Sequence, residues 1–250
     1  MRRALALAGL LALAGCGDDA TVSGGGEKPE LVVSAATSMT EALEACAPEF
    51  SEATVRLQFA GSDELAAQIR QGVPVDVFAA ANTKLPEELA SEGKLGEPVV
   101  FASNQLVLTV PAGSEIDSLG ALEEPGVTLV IGAEGVPVGD YTRGVLAKLG
   151  AERSEAILAN VRSNEPDVKG IVGKLIQGAA DAGFVYASDV KAAGDELRAI
   201  ELDPKLDPKA SYGAGVVEAA RQPDAAEAFV DDLAAGGCHV ALLEAGFGEP

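Results

Sequence analysis

Two hundred and fifty residues, 48% of them hydrophobic, can build one large domain or two modest ones around a real core, so disorder is excluded for most of the chain. With 39 Asp and Glu against 18 Lys and Arg the formal net charge is -21, which excludes a nucleic-acid partner, because phosphate contacts need a basic face. One histidine, three cysteines, seven Phe, three Tyr and no Trp leave little material for zinc sites, for Ser-His-Asp or Cys-His catalysis, or for rings that stack sugars and bases.

At the N-terminus, Arg2 and Arg3 precede an apolar run from Ala4 to Ala14, the layout of an export signal. The run is well short of the ~20 apolar residues that a membrane-spanning helix needs. Leu13-Ala14-Gly15-Cys16 is similar to the bacterial lipobox, in which the cysteine sulfur is lipidated and becomes the first mature residue. The expectation is a lipoprotein signal peptide over 1–15, lipidation at Cys16 and a polar, glycine-rich tether over 16–30. This describes an extracytoplasmic lipoprotein touching the membrane through its lipid anchor only; an ordinary signal peptide with an incidental cysteine is the alternative. In an oxidising compartment Cys46 and Cys238 either bridge or are two independent small buried residues, and the sequence alone decides neither.

Beyond the tether, short apolar runs alternate with helical patterns. Strand 31–35 is followed by helix 39–50, strand 54–60 with Val55, Leu57 and Phe59 turned inward, helix 64–71, strand 75–80 and helix 85–92. A strand over 104–110 opens a second series: strand 127–131, helices near 141–149 and 168–177, and strand 182–186. The Pro-, Lys- and Asp-rich stretch 202–211 breaks the pattern, a strand resumes over 212–217, and two helices close the chain. Such alternation predicts an α/β fold with mostly parallel sheets in two lobes, and a cleft between lobes suits a small ligand.

Four junctions leading into helices carry small or hydroxyl-bearing residues: 36–40 around Ser38, 60–64 around Ser62, 136–140 around Val138, and 164–168, running from Asn164 to Val168. Helix starts expose unpaired N–H groups and the positive end of the dipole, so together they suit an oxyanion without any Lys or Arg. Taken singly, Ser38, Ser62 and Asn164 read as ordinary N-caps. The glycine-rich run 132–139 matches neither the dinucleotide fingerprint nor the phosphate-binding P-loop, which weighs against a nucleotide-dependent enzyme.

These residues resemble the substrate-binding component of bacterial molybdate ABC importers. The similarity rests on Ser34-Ala35-Ala36-Thr37-Ser38-Met39, on Phe59-Ala60-Gly61-Ser62 with Leu65 to Ile69 and Gly72 to Phe78, on Val136 to Tyr141, and on Gly183 to Asp189; it runs from Leu31 to Phe247. The resemblance implies a two-lobed periplasmic-binding-protein fold of type II, with lobe 1 formed by 31–105 and 210–250 and lobe 2 by 106–209. It implies molybdate or tungstate held in the cleft by Ser38, Ser62, Val138, Val168 and Tyr186, no cofactor, and no protein ligand on molybdenum itself. It also implies an ABC transporter permease as partner, a monomer, and no enzymatic activity. A binder of sulfate, phosphate or another tetrahedral oxyanion is the alternative, with a small α/β enzyme behind it. Val138 stands where the family usually has alanine. Asp63 and Glu64, directly after Ser62, are expected to point to solvent, where acidic groups complement the dipole of the helix they start. Tyr186 read without the resemblance is a core tyrosine. The net charge opposes an anion weakly, since charges beyond a Debye length of ~8 Å are largely screened.

Overall fold

The computed structural model describes residues 28–250; the export signal, Cys16 and most of the tether lie outside them. Glu30, expected to end the tether, instead opens the first strand.

The described residues contain nine strands and nine α-helices. β1 (Glu30–Ala36), α1 (Thr40–Cys46), β2 (Thr54–Ala60), α2 (Ser62–Arg70), β3 (Val77–Ala80) and α3 (Lys84–Ser91) form the first α/β series. β4 (Val99–Pro111) leads into β5 (Leu129–Gly132), α4 (Pro137–Ala147), α5 (Ala151–Leu158), β6 (Val161–Glu165), α6 (Val168–Ile176), β7 (Ala182–Tyr186), α7 (Ala187–Ala193) and β8 (Leu197–Ile200). The chain then returns through β9 (Lys209–Val216) to α8 (Pro223–Ala235) and α9 (Gly237–Ala245).

The strands lie in the order β2-β1-β3-β9-β4-β7-β5-β6, with β8 on the edge of β4. β1, β2 and β3 are mutually parallel, as are β5, β6 and β7, while β9 and β4 run antiparallel to their neighbours. β4 belongs to both halves of the sheet: residues 99–105 pair with β9 and residues 106–111 with β7 and β8. The chain therefore crosses between halves twice, along β4 and ahead of β9.

Period-two alternation explains why β3 can be buried on both faces. Val77 and Ala79 belong to the main core, while Phe78 and Ala80 pack into a second cluster with Leu65 and Ile69 of α2 and Leu85 and Leu89 of α3. β2 is an edge strand, so Val55, Leu57 and Phe59 are only half-buried, though they do pack on the core. The helix expected over 39–50 is broken: α1 stops at Cys46 and a 3-10 turn carrying Pro48 follows, because proline supplies no N–H to continue the helix. α5, β6 and β8 were not anticipated; β6, Val161-Arg162-Ser163-Asn164-Glu165, is too polar to read as a strand. The stretch expected to break the pattern already pairs from Lys209 onward. Cys46 and Cys238 form a disulfide between the end of α1 and the start of α9, with Cα atoms 5.1 Å apart and a sequence separation of 192.

Candidate functional site

The carboxyl ends of the parallel strands in both halves converge on one cavity, the usual ligand position in open α/β sheets. Ala36, Thr37 and Ser38 leave β1, Ala60, Gly61 and Ser62 join β2 to α2, and Ala81 follows β3. From the other half come Val136, Pro137 and Val138 at the start of α4, Asp167 and Val168 at the start of α6, and Tyr186 at the end of β7. All five residues singled out by sequence line this space, and they are 1–4% exposed. About 20 Å³ is open to the centre of a water-sized sphere, equivalent to one ball of roughly 3 Å radius once the sphere's own radius is added. A space of that size suits a single compact ion and is too small for a sugar or a nucleotide.

No Lys, Arg or His among the described residues lines it. Donors are supplied instead by the N-termini of α2, α4 and α6, whose first-turn N–H groups have no intrahelical partner. A glycine pair lets α4 approach: a Cβ on Gly139 would sit 2.0 Å from the Ala133 carbonyl oxygen, and one on Gly132 would sit 2.6 Å from the Gly139 nitrogen. Gly132 and Gly139 therefore serve helix-on-strand packing, whereas Gly135 between them, at φ 85°, makes the turn. Arg143 adds a clamp, donating to the carbonyls of Gly132 and Gly139 and to Asn164 Oδ1.

The hydroxyls do not cap helices. Ser62 Oγ accepts from the Ala81 N–H at 3.1 Å, which leaves its own proton free for the cavity. Ser38 Oγ lies 2.9 Å from the Tyr212 hydroxyl. Asn164 accepts from Arg143, and the cap of α6 is Asp167, whose Oδ1 accepts from the Gly170 N–H at 3.0 Å. The Tyr186 hydroxyl is buried and has no hydrogen-bond partner. An orphaned buried donor costs about 1–3 kcal/mol, which an acceptor in the cavity would recover. Burial, reinforced by neighbouring Tyr212, pushes the Tyr186 phenol well above its ordinary value, so it remains a donor.

The acidic residues are arranged differently from expectation. Glu64 is exposed, but Asp63 is half-buried, with Oδ1 lacking a partner over Gly61 beside the cavity. Burial raises its pKa, and Glu64 and Asp140 add to the rise against the pull of its own and Glu64's N–H. Beneath Tyr186, the fully buried Asp189 accepts from the Tyr186 N–H at 3.3 Å. Burial pushes its carboxyl up to about 7, although Lys169 Nζ, 3.5 Å away, opposes the shift. The same ammonium reaches Glu41 at 2.7 Å, so α6 of one half is paired with α1 of the other.

Residues 31–248 match the family of bacterial extracellular solute-binding proteins. The molybdate-binding protein ModA of Mycobacterium tuberculosis is 32% identical, over 99% of this chain and 95% of its own length. The chain belongs to this molybdate-binding family of solute-binding proteins. Among solved structures, the periplasmic molybdate-binding protein of Azotobacter vinelandii superposes with a TM-score of 0.78 at 22% identity, covering 88% of this chain and 99% of that one. The sulfate-binding protein SubI of Mycobacterium tuberculosis gives 0.76 at 16% identity, covering 88% and 86%. At such identities these two likenesses establish the fold, the two-part α/β architecture of periplasmic binding proteins.

Relatives in this solute-binding family act outside the cytoplasm and are not enzymes. The family resemblance implies three donor-bearing side chains at the cavity, Ser38, Ser62 and Tyr186, and says nothing of the groups behind them: Tyr212, Ala81 and the cap Asp167. A signal for Tyr212 was present, since Ala210, Tyr212 and Ala214 alternate on the buried face of β9, and a buried phenol needs a partner.

Proposed function

We propose that the chain captures molybdate, and tungstate with it, outside the cytoplasm and delivers it to the permease of an ABC importer. The observation that carries the reading is the cavity: room for one compact ion, three helix N-termini, hydroxyls with protons to give, and no cation. A fully deprotonated tetrahedral dianion only accepts hydrogen bonds, so donor surroundings fit it, whereas hydrogen phosphate needs an acceptor. The 32% identity to ModA, over 99% of the chain, supports molybdate in particular. On this reading Ser38 and Ser62 hold the anion from one side, and Val138, Val168 and Tyr186 from the other. Residues 31–105 with 210–250 and residues 106–209 then act as two lobes that close on it about β4 and the return into β9. Molybdenum is met only through its oxygens, the protein works as a monomer, and lipidated Cys16 tethers it to the membrane.

Thermal unfolding with molybdate, tungstate, sulfate and phosphate tests the ligand, because binding to the folded state raises the midpoint by mass action. Molybdate and tungstate should give the large rises; a larger rise with sulfate or phosphate replaces the reading. The phosphate arm has a structural motive, since Asp167 places one carboxylate on the lining, although its Oδ1 is already engaged by Gly170. For the anchor, Cys16→Ser should release the protein from the membrane fraction, and unchanged association would refute lipidation.

A further inference from the structure

We infer that Tyr212 is a positioning residue of the anion site, its phenol fixing the Ser38 hydroxyl as a donor into the cavity. The inference rests on the function proposed above. Ser38 Oγ and Tyr212 Oη are 2.9 Å apart, and both side chains are buried, Tyr212 completely. The single proton in that contact belongs to one of the two hydroxyls. If Ser38 gave it, Ser38 would turn a lone pair toward the cavity and repel an anion; if Tyr212 gives it, Ser38 keeps its own proton for the ligand.

The chemistry of the phenol favours the second arrangement. Of the two hydroxyls the phenol is by far the more acidic and so the better donor. Its ring is held edge-on by Phe101, Tyr186 and Phe247, with centroids 6.3, 5.8 and 5.2 Å away. Burial also pushes the phenol well above its ordinary value, so the proton stays. Donation thus runs from Tyr212 to Ser38, and from Ser38 to the anion. At this corner the site offers a hydrogen and no lone pair, so an oxyanion carrying its own proton is disfavoured there. Tyr212 contributes to selectivity without touching the ligand.

Calorimetric titration of the parent, Tyr212→Phe, Ser38→Ala and the double variant with molybdate and with inorganic phosphate tests this. Tyr212→Phe keeps the ring and should leave the ligand-free melting temperature near that of the parent. Molybdate binding should weaken by up to about tenfold, the cost of losing the Ser38 hydrogen bond to a charged group altogether. The molybdate-to-phosphate ratio should narrow, because the freed Ser38 hydroxyl can rotate and accept. The double variant should bind no worse than Ser38→Ala alone, because Tyr212 acts through Ser38. A merely structural role would weaken both anions alike and add to the Ser38→Ala loss. That outcome, or parent-like affinity and ratio in Tyr212→Phe, overturns the inference while leaving the proposed function standing. Failure of the parent to bind molybdate overturns both.

Discussion

Gly61 marks a place where one half of the molecule meets the backbone of the other, and Gly61→Ala probes what that contact does. A Cβ there would lie 2.4 Å from the Pro166 carbonyl oxygen and 2.8 Å from Asp63 Oδ1. The Asp63 side chain can swing aside; the Pro166 carbonyl is backbone in the turn into α6. A tolerable carbon–oxygen contact is roughly 3.3–3.6 Å, so the start of α6 must withdraw by about 1 Å. A hydrogen bond of about 2.9 Å stretched that far is lost. Losing one such bond from the α6 N-terminus to an anion removes about 1.5–3 kcal/mol, so molybdate should bind about ten- to a hundredfold more weakly. The ligand-free protein should be almost unaffected: Gly61 has φ -58° and ψ 139°, which alanine adopts without strain, and on the two-lobe reading proposed above the halves part without ligand. Gly139→Ala is the contrast, because its clashes with the Ala133 and Gly132 carbonyls lie within one half and cannot be relieved by parting. It should lower the ligand-free melting temperature. Calorimetry for affinity and differential scanning for stability suffice. Parent-like molybdate binding by Gly61→Ala, or a stability loss matching that of Gly139→Ala, would refute the reasoning.

Tyr186→Phe removes a buried hydroxyl that lacks a partner, so it should hold or raise ligand-free stability, by up to about 1 kcal/mol, while molybdate affinity falls about tenfold or more; a loss of stability with unchanged affinity would make Tyr186 a packing residue. Ser62→Ala should lower both, since it strands the Ala81 N–H as well as deleting a donor, and urea unfolding beside titration separates the two effects. Breaking the disulfide by Cys46→Ala with Cys238→Ala should cost about 2–4 kcal/mol, and an unchanged urea midpoint contradicts this. Asp189 holds its proton more tightly folded than unfolded, so its stabilising contribution is complete at low pH and is lost as pH rises to about 7. Asp189→Asn keeps the acceptor for the Tyr186 N–H and should flatten the melting temperature between about pH 4 and 7; parallel curves for parent and variant would remove Asp189 as the titrating group.

The architecture was legible where apolar periodicity was strong, as in β1, β3, α2 and β7, and illegible where pairing partners rather than side chains make the strand. β6 is such a case: its residues are polar, and it exists because β5 hydrogen-bonds to it as a parallel edge neighbour. The helix starts pointed to an anion, yet the local reading of Ser38, Ser62 and Asn164 as caps failed because each takes a partner far away in sequence or on another element: Tyr212, Ala81 and Arg143. Asp63 was expected in solvent on dipole grounds, which concern its own helix alone. Its Oδ1 is instead buried beside Gly61, on which the Pro166 carbonyl of the other half also closes, a tertiary fact that no local pattern encodes.

The two ends of the chain build one half of the sheet together, with Cys46 on the early segment and Cys238 on the late one. A chain that emerges from a membrane N-terminus first exposes β1 to β3 before β9, α8 and α9 arrive. Throughout that interval Cys46 is a thiol without its mate, while the stretch between them passes and folds. The sequence contains only one other cysteine, Cys16, as a competitor. On the lipoprotein reading its sulfur is already a thioether, and Cys46 then has a single thiol in its own chain with which to pair.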